Sequence, residues 1–113
     1  MGDRILRLSA FCLGAALVAA VAAPAQKNAK GDAAKGKEAF EQCAVCHNAE
    51  STEKKMGPGL KGLFKRDKLN NGKKVTEANV RSVIEHGGNG MPPYKEMLSD
   101  PEKDDILAYL KTL

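Results

Sequence analysis

Cys43-Ala44-Val45-Cys46-His47 constrains this chain more than any other stretch. Two thiols separated by two residues and followed at once by an imidazole form the Cys-x-x-Cys-His pattern of c-type haem attachment. Thiols at that spacing can add to the two vinyl groups on one edge of a haem, and the histidine is then placed to bind the iron from one face. Other uses of the pattern are poorly served. A thioredoxin-like redox pair needs a βαβ setting, which the sequence lacks. A zinc site needs four ligands, and the only other histidine is His86. A disulfide closing so small a loop would stabilise little.

The chain has 113 residues, enough for one small domain. Its first part reads as an address. Arg4 and Arg7 form a basic flank, Leu8 to Ala23 is apolar and alanine-rich, and Ala23-Pro24-Ala25 offers an A-x-A cleavage site. Together these describe a secretory signal peptide over 1–25, removed on export. The apolar run falls short of a membrane span of about 20 residues. Cys12 follows the bulky Phe11, which does not suit a lipoprotein site, and leaves with the signal. A polar lead over 26–31 follows, and then the domain proper, 32–113. The formal charge of +4 is mild and argues against nucleic acid as a partner. Its distribution is uneven: Lys54, Lys55, Lys61, Lys65, Arg66, Lys68, Lys73 and Lys74 face only Asp67 as an acid between Lys54 and Lys74. Such a run is a solvated surface or a docking face for an acidic partner.

Within the domain the pattern is all-α: helix, long loop, short helix, loop, helix. Asp32 is placed to cap a helix running through Gln42, with Gly36, Phe40 and Cys43 on one face. Gly36 is costly in a helix interior and marks close approach of another backbone. Gly57-Pro58-Gly59-Leu60-Lys61-Gly62-Leu63-Phe64 is too rich in glycine for regular structure. Asn70-Asn71-Gly72 signals a turn in a loop. Thr76 caps a short helix carrying Val80, Val83 and Ile84, stopped at Gly87 or Gly88. Gly87 to Pro93 reads as an irregular loop, and Tyr94 to Leu98 as one turn. Ser99-Asp100-Pro101-Glu102 opens the last helix, whose Ile106, Tyr109, Leu110 and Leu113 share a face. The domain has no tryptophan and few aromatic residues, so its own core is marginal. A buried haem would supply the missing apolar mass, and folding is expected to depend on it.

The far side of the iron has four candidate ligands: Met56, Met91, Met97 and His86. Met91 sits in Gly88-Asn89-Gly90-Met91-Pro92-Pro93, where glycine and proline fix a loop able to aim a thioether inward. That argument favours Met91. Met97 is expected on a core face beside Leu98, Met56 beside the Gly-Pro loop on the histidine side, and His86 near a helix end.

Cys43-Ala44-Val45-Cys46-His47, Gly57-Pro58-Gly59-Leu60-Lys61-Gly62, Gly90-Met91-Pro92-Pro93 and Ile106-Leu107-Ala108-Tyr109-Leu110 occur in one order and spacing. In this the chain resembles the class I c-type cytochromes of the small bacterial, single-haem kind. The resemblance covers residues 31–113. It implies the cytochrome c fold, three main helices plus loops wrapped around one covalently bound haem c. It also implies thioethers at Cys43 and Cys46, axial ligands at His47 and Met91, and a Pro58 carbonyl accepting the histidine's ring N–H. Gly36 and Phe40 resemble the first-helix pair that meets Ile106 and Tyr109 of the last helix. The chain departs from the mitochondrial type between Phe64 and Thr76, which is short and lacks a tryptophan. Propionate partners stay unassigned, with Tyr94 and the cations of 61–74 as candidates.

With both axial positions filled, outer-sphere electron transfer remains and no catalytic residue is expected. The expected function is a soluble periplasmic electron carrier, without stable membrane insertion, between a donor (a periplasmic dehydrogenase or respiratory complex) and an accepting oxidase or reductase. The alternatives are an electron-accepting haem subunit of a sulfite- or alcohol-oxidising dehydrogenase, and a small-ligand-binding or peroxidatic haem protein.

Overall fold

The computed structural model describes residues 30–113. The signal peptide read over 1–25, and residues 26–29 of the polar lead, lie outside the described residues. Among the described residues there are three α-helices and no strands. Helix α1 spans Ala33–Ala39 and tightens into a 3₁₀ turn over Phe40–Gln42. A second 3₁₀ turn covers Leu63–Lys65; α2 spans Glu77–His86 and α3 Asp100–Leu110.

Local chemistry explains each start. The Asp32 carboxylate accepts from the amides of Ala34 and Lys35, satisfying two of the first-turn donors of α1. Thr76 does the same for α2 through the Asn79 amide. Ser99 and Glu102 form a full capping box on α3, each side chain bonding the other's backbone N–H.

The first and last helices cross where Gly36 sits. A Cβ built there would lie 1.9 Å from the Asp105 carbonyl oxygen and 2.9 Å from the Cβ of Tyr109, so only glycine allows this approach. Next to the crossing, the rings of Phe40 and Tyr109 meet edge to face at 5.4 Å. The Asp32 amide adds a 2.7 Å bond to the Asp105 carboxylate. Gly36→Ala forces the helices apart and is expected to destabilise the fold by about 2–3 kcal/mol, the upper range for overpacking. Its melting temperature should fall by roughly 10–20 °C for a domain of this size. A melt within a few degrees of the parent would contradict this contact.

The core is formed by Phe40, Leu60, Leu63, Val80, Ile84, Leu98, Ile106, Leu107, Tyr109 and Leu110. Several expectations need correction. Leu63 and Phe64 are in a 3₁₀ turn, which Gly62 initiates at φ 70°. Gly87 to Pro93 is not wholly irregular. Asn89 (φ 52°) and Gly90 (φ 89°) form a tight two-residue turn of the left-handed kind, across which Gly88 and Met91 exchange both backbone hydrogen bonds. Asn70-Asn71-Gly72 does turn the chain, and an isolated bridge links Lys68 with Lys74 around it. Met97 is 64 % exposed rather than part of a core face; its neighbour Leu98 takes the buried place. Leu107, unremarked in the pattern, is buried, while Leu113 only packs against the core's edge. Lys103 is buried as well, at 3 % exposure, a position sequence pattern would assign to solvent.

Candidate functional site

The attachment motif is wound directly onto the end of α1. Cys43 and Ala44 donate to the Phe40 carbonyl, and Cys46 and His47 both donate to that of Cys43 (3.1 and 2.9 Å). The coil therefore continues past the 3₁₀ turn and carries both thiols and the imidazole together. Cys43 and Cys46 are unpaired thiols. Burial pushes the Cys43 thiol up to about 11, with the neighbouring Cys46 charge adding to it, so Cys43 stays protonated at neutral pH while its thiol is unattached.

The loop that follows folds back under the imidazole. Gly57 donates to the Cys46 carbonyl (2.8 Å) and Leu60 to that of Asn48 (2.7 Å). This sets the Pro58 carbonyl 2.8 Å from His47 Nδ1. A carbonyl only accepts, so Nδ1 carries the proton and Nε2 keeps its lone pair. The bond also fixes the ring and makes its remaining nitrogen a better donor. Gly57 lies flat against the same ring, where a Cβ would fall 2.5 Å from His47 Cε1. Arg66 holds the far end of the loop, its guanidinium donating to the carbonyls of Gly59 and Lys61 at 2.8 Å each.

These side chains face a cavity of about 410 Å³. Cys43, Cys46, His47, Pro58 and Met91 all line it, with core residues including Phe40, Leu63, Ile84, Ile106 and Leu110 forming its apolar walls. Haem passes this test of fit: the cleft is apolar, of the size that holds organic cofactors, and has two thiols and a nitrogen ligand on one side. Of the other ligand candidates, Met56 lies at the rim, 80 % exposed, with its sulfur 3.9 Å from that of Cys46. Met97 and His86 do not line the cavity. His86 is exposed, and its Nδ1 lies 2.9 Å from the Ser82 carbonyl. Among the propionate candidates, Arg66, Lys68 and Tyr94 line the cavity. Burial, and then the Cys43 and Cys46 charges, raise the Tyr94 hydroxyl, leaving it a donor at neutral pH. Among the described residues, no cluster of three or more His, Cys, Asp or Glu could hold a bare metal ion.

The family profile described as Cytochrome c matches residues 33–113, from the first residue of α1 to the chain's last. The chain belongs to the cytochrome c family. This cytochrome is 34 % identical over 115 residues to cytochrome c2 of Blastochloris viridis, covering 87 % of the chain and 88 % of the relative. It is 30 % identical over 129 residues to cytochrome c2 of Rhodospirillum rubrum, covering 89 % and 96 %. Cytochrome c6 of the diatom Phaeodactylum tricornutum superposes with a TM-score of 0.57 at 30 % identity, over 73 % of this chain and 93 % of that one. Cytochrome cH of Methylobacterium extorquens gives 0.57 at 31 %, over 74 % and 100 %. The fold is thus that of a class I cytochrome c, and the protein is a small electron-transfer haem protein and not an enzyme. Its cofactor is covalently bound haem c. Among the described residues, no helix is long and apolar enough to cross a membrane.

Proposed function

We propose that this cytochrome c carries single electrons through a haem held by thioethers to Cys43 and Cys46 and ligated axially by His47 and Met91. The observation that carries the reading is the shared cavity: both thiols, the oriented imidazole and the one methionine on a tight turn line the same cleft. Bound there, haem c supplies an iron that cycles between ferric and ferrous states. Pro58 orients His47 and enriches its donor nitrogen. Met91, a soft thioether, favours the ferrous state and raises the potential. The apolar walls exclude water and act in the same direction. Arg66, Lys68 and Tyr94, which line the cavity, would be available to the propionates.

The signal peptide read over 1–25 goes with this assignment: the mature protein works in the periplasm, passing electrons from a dehydrogenase or respiratory complex to a terminal oxidase or reductase through brief, small interfaces. The spectrum of the periplasm-matured ferric protein tests the reading. A low-spin haem with the weak far-red band of methionine–iron ligation supports it. A high-spin haem whose ferrous form takes carbon monoxide directly would favour a ligand-binding or peroxidatic role instead.

Lys54 and Lys68 lie exposed on the cavity's rim, so approach of an anionic partner should be steered. Oxidation of the ferrous protein by ferricyanide should slow by on the order of tenfold from low to high salt, as the screening length shortens. A cationic cobalt oxidant should show no such slowing, and equal salt dependence for both oxidants would remove the steering.

A further inference from the structure

Met91 rides on a strap that leaves and returns to the same turn of α2. At the leaving end, the Gly87 amide donates to the Val83 carbonyl (2.7 Å). At the returning end, the Tyr94 amide donates to the Ile84 carbonyl (2.9 Å) and that of Lys95 to the Glu85 carbonyl (3.2 Å). The strap is closed tightly against itself, since a Cβ on Gly87 would fall 2.2 Å from the Met91 carbonyl oxygen. The position of Met91 is therefore set by wherever the last turn of α2 is held.

Glu85 belongs to that turn and takes part twice. Its backbone carbonyl receives the strap, and its carboxylate reaches α3. The Oε1 atom lies 3.3 Å from the buried Lys103 ammonium and 3.2 Å from the Arg81 guanidinium. Lys103 also meets Asp100 (3.4 Å), and Arg81 meets Asp100 and Asp104 (3.0 and 2.6 Å). The hydrogen bond from Lys103, ahead of the Arg81 contacts, holds the Glu85 and Asp100 carboxyls below the usual carboxylate range. Both are ionised at neutral pH. A lysine side chain only 4 % exposed is held by directed contacts, and removing one partner of such a pair leaves a costly unpaired charge.

We propose that Lys103 and Glu85 are positioning residues for Met91, locking the last turn of α2 to α3 so that the strap presents its thioether at one fixed place. This rests on the His/Met reading above. Loss of the lock lets the strap move away from the iron more often, so an external ligand competes more easily for that position.

The test is imidazole titration of the ferric holoprotein, with the far-red band read before each titration. Lys103→Met and Glu85→Gln should keep the band and raise imidazole affinity by about fivefold or more. Lys103→Arg, which keeps the charge, should restore the parent value. Lys111→Met removes a 2.7 Å ion pair to Glu77 at the opposite end of α2 and serves as the control, with its imidazole affinity unchanged. If Lys103→Met does not fold, Glu85→Gln and Lys103→Arg decide. Parent-like affinity in the variants that fold, with the band present, overturns this proposal alone. An equal rise in Lys111→Met also overturns it, since the effect is then general loosening. A parent protein without the band overturns both this proposal and the ligation reading.

Discussion

Made without haem, with Cys43 and Cys46 replaced by alanine, the chain should show no cooperative thermal unfolding and little amide protection. The reason is where the cavity lies. Phe40, Leu60, Leu63, Val80, Ile84, Ile106 and Leu110 are core residues, and each also lines the cleft. The protein has little second core behind it. Leaving such a space unfilled costs about 24 cal/mol per Å³. Over a cleft of about 410 Å³ that approaches an upper figure of about 10 kcal/mol, less where the cleft opens to water. A domain of this size has a total stability of only roughly 4–12 kcal/mol. The two figures are comparable, so the cofactor-free chain has nothing left to hold its helices in register. Circular dichroism melts and hydrogen exchange check this. A sharp melt with parent-like protection would show a core sufficient without haem.

Met91→Ala should abolish the far-red band and lower the reduction potential by on the order of 0.1–0.3 V, a fraction of the about 0.8 V that axial ligation spans. The change should also open the iron to carbon monoxide and imidazole. Alanine at the end of a tight turn keeps the backbone pairing of Gly88 with the chain at position 91, so the loss is of the thioether and not of the strap. Met56→Ala and Met97→Ala are the comparisons. Met97 is exposed and away from the cavity; Met56 is exposed at the rim beside Cys46. Neither substitution should move the band. A Met91→Ala protein with an unchanged potential would remove Met91 from the iron, and loss of the band in Met56→Ala would move the assignment there.

The helices were legible because their signals are local. Asp32, Thr76 and the Ser99–Glu102 box each act on amides within three residues, and the structure uses all of them as caps. Gly36 was legible for a different reason: a glycine costly to a helix implies something pressed against it, and Asp105 is what presses. Met97 and Leu98 were not separable. They are adjacent and both apolar, and which one faces inward depends on how the preceding strap returns to α2. Lys103 was invisible because its burial is made tolerable by Glu85 of another helix, eighteen positions earlier in the chain, together with Asp100 one turn back on its own helix. The turn at Asn89-Gly90 carried a readable sign, since that dipeptide favours the left-handed turn, but no strands flank it to draw attention. The cavity itself could not be read at all, because its walls come from α2, α3, both 3₁₀ turns and the loops between them.

The contact between α1 and α3 sets an order of events. The chain is made from its N-terminus, so α1 and the thiols of Cys43 and Cys46 emerge early. The helix that must cover Gly36 and Phe40 is the last to appear, and closing so long a segment is slow compared with local winding. Until then the thiols stand on an unclosed chain. The topology therefore leaves the thiols on an open chain in which a cofactor can be joined before its walls exist, and the closure of α3 over Gly36 and Phe40 would follow that joining.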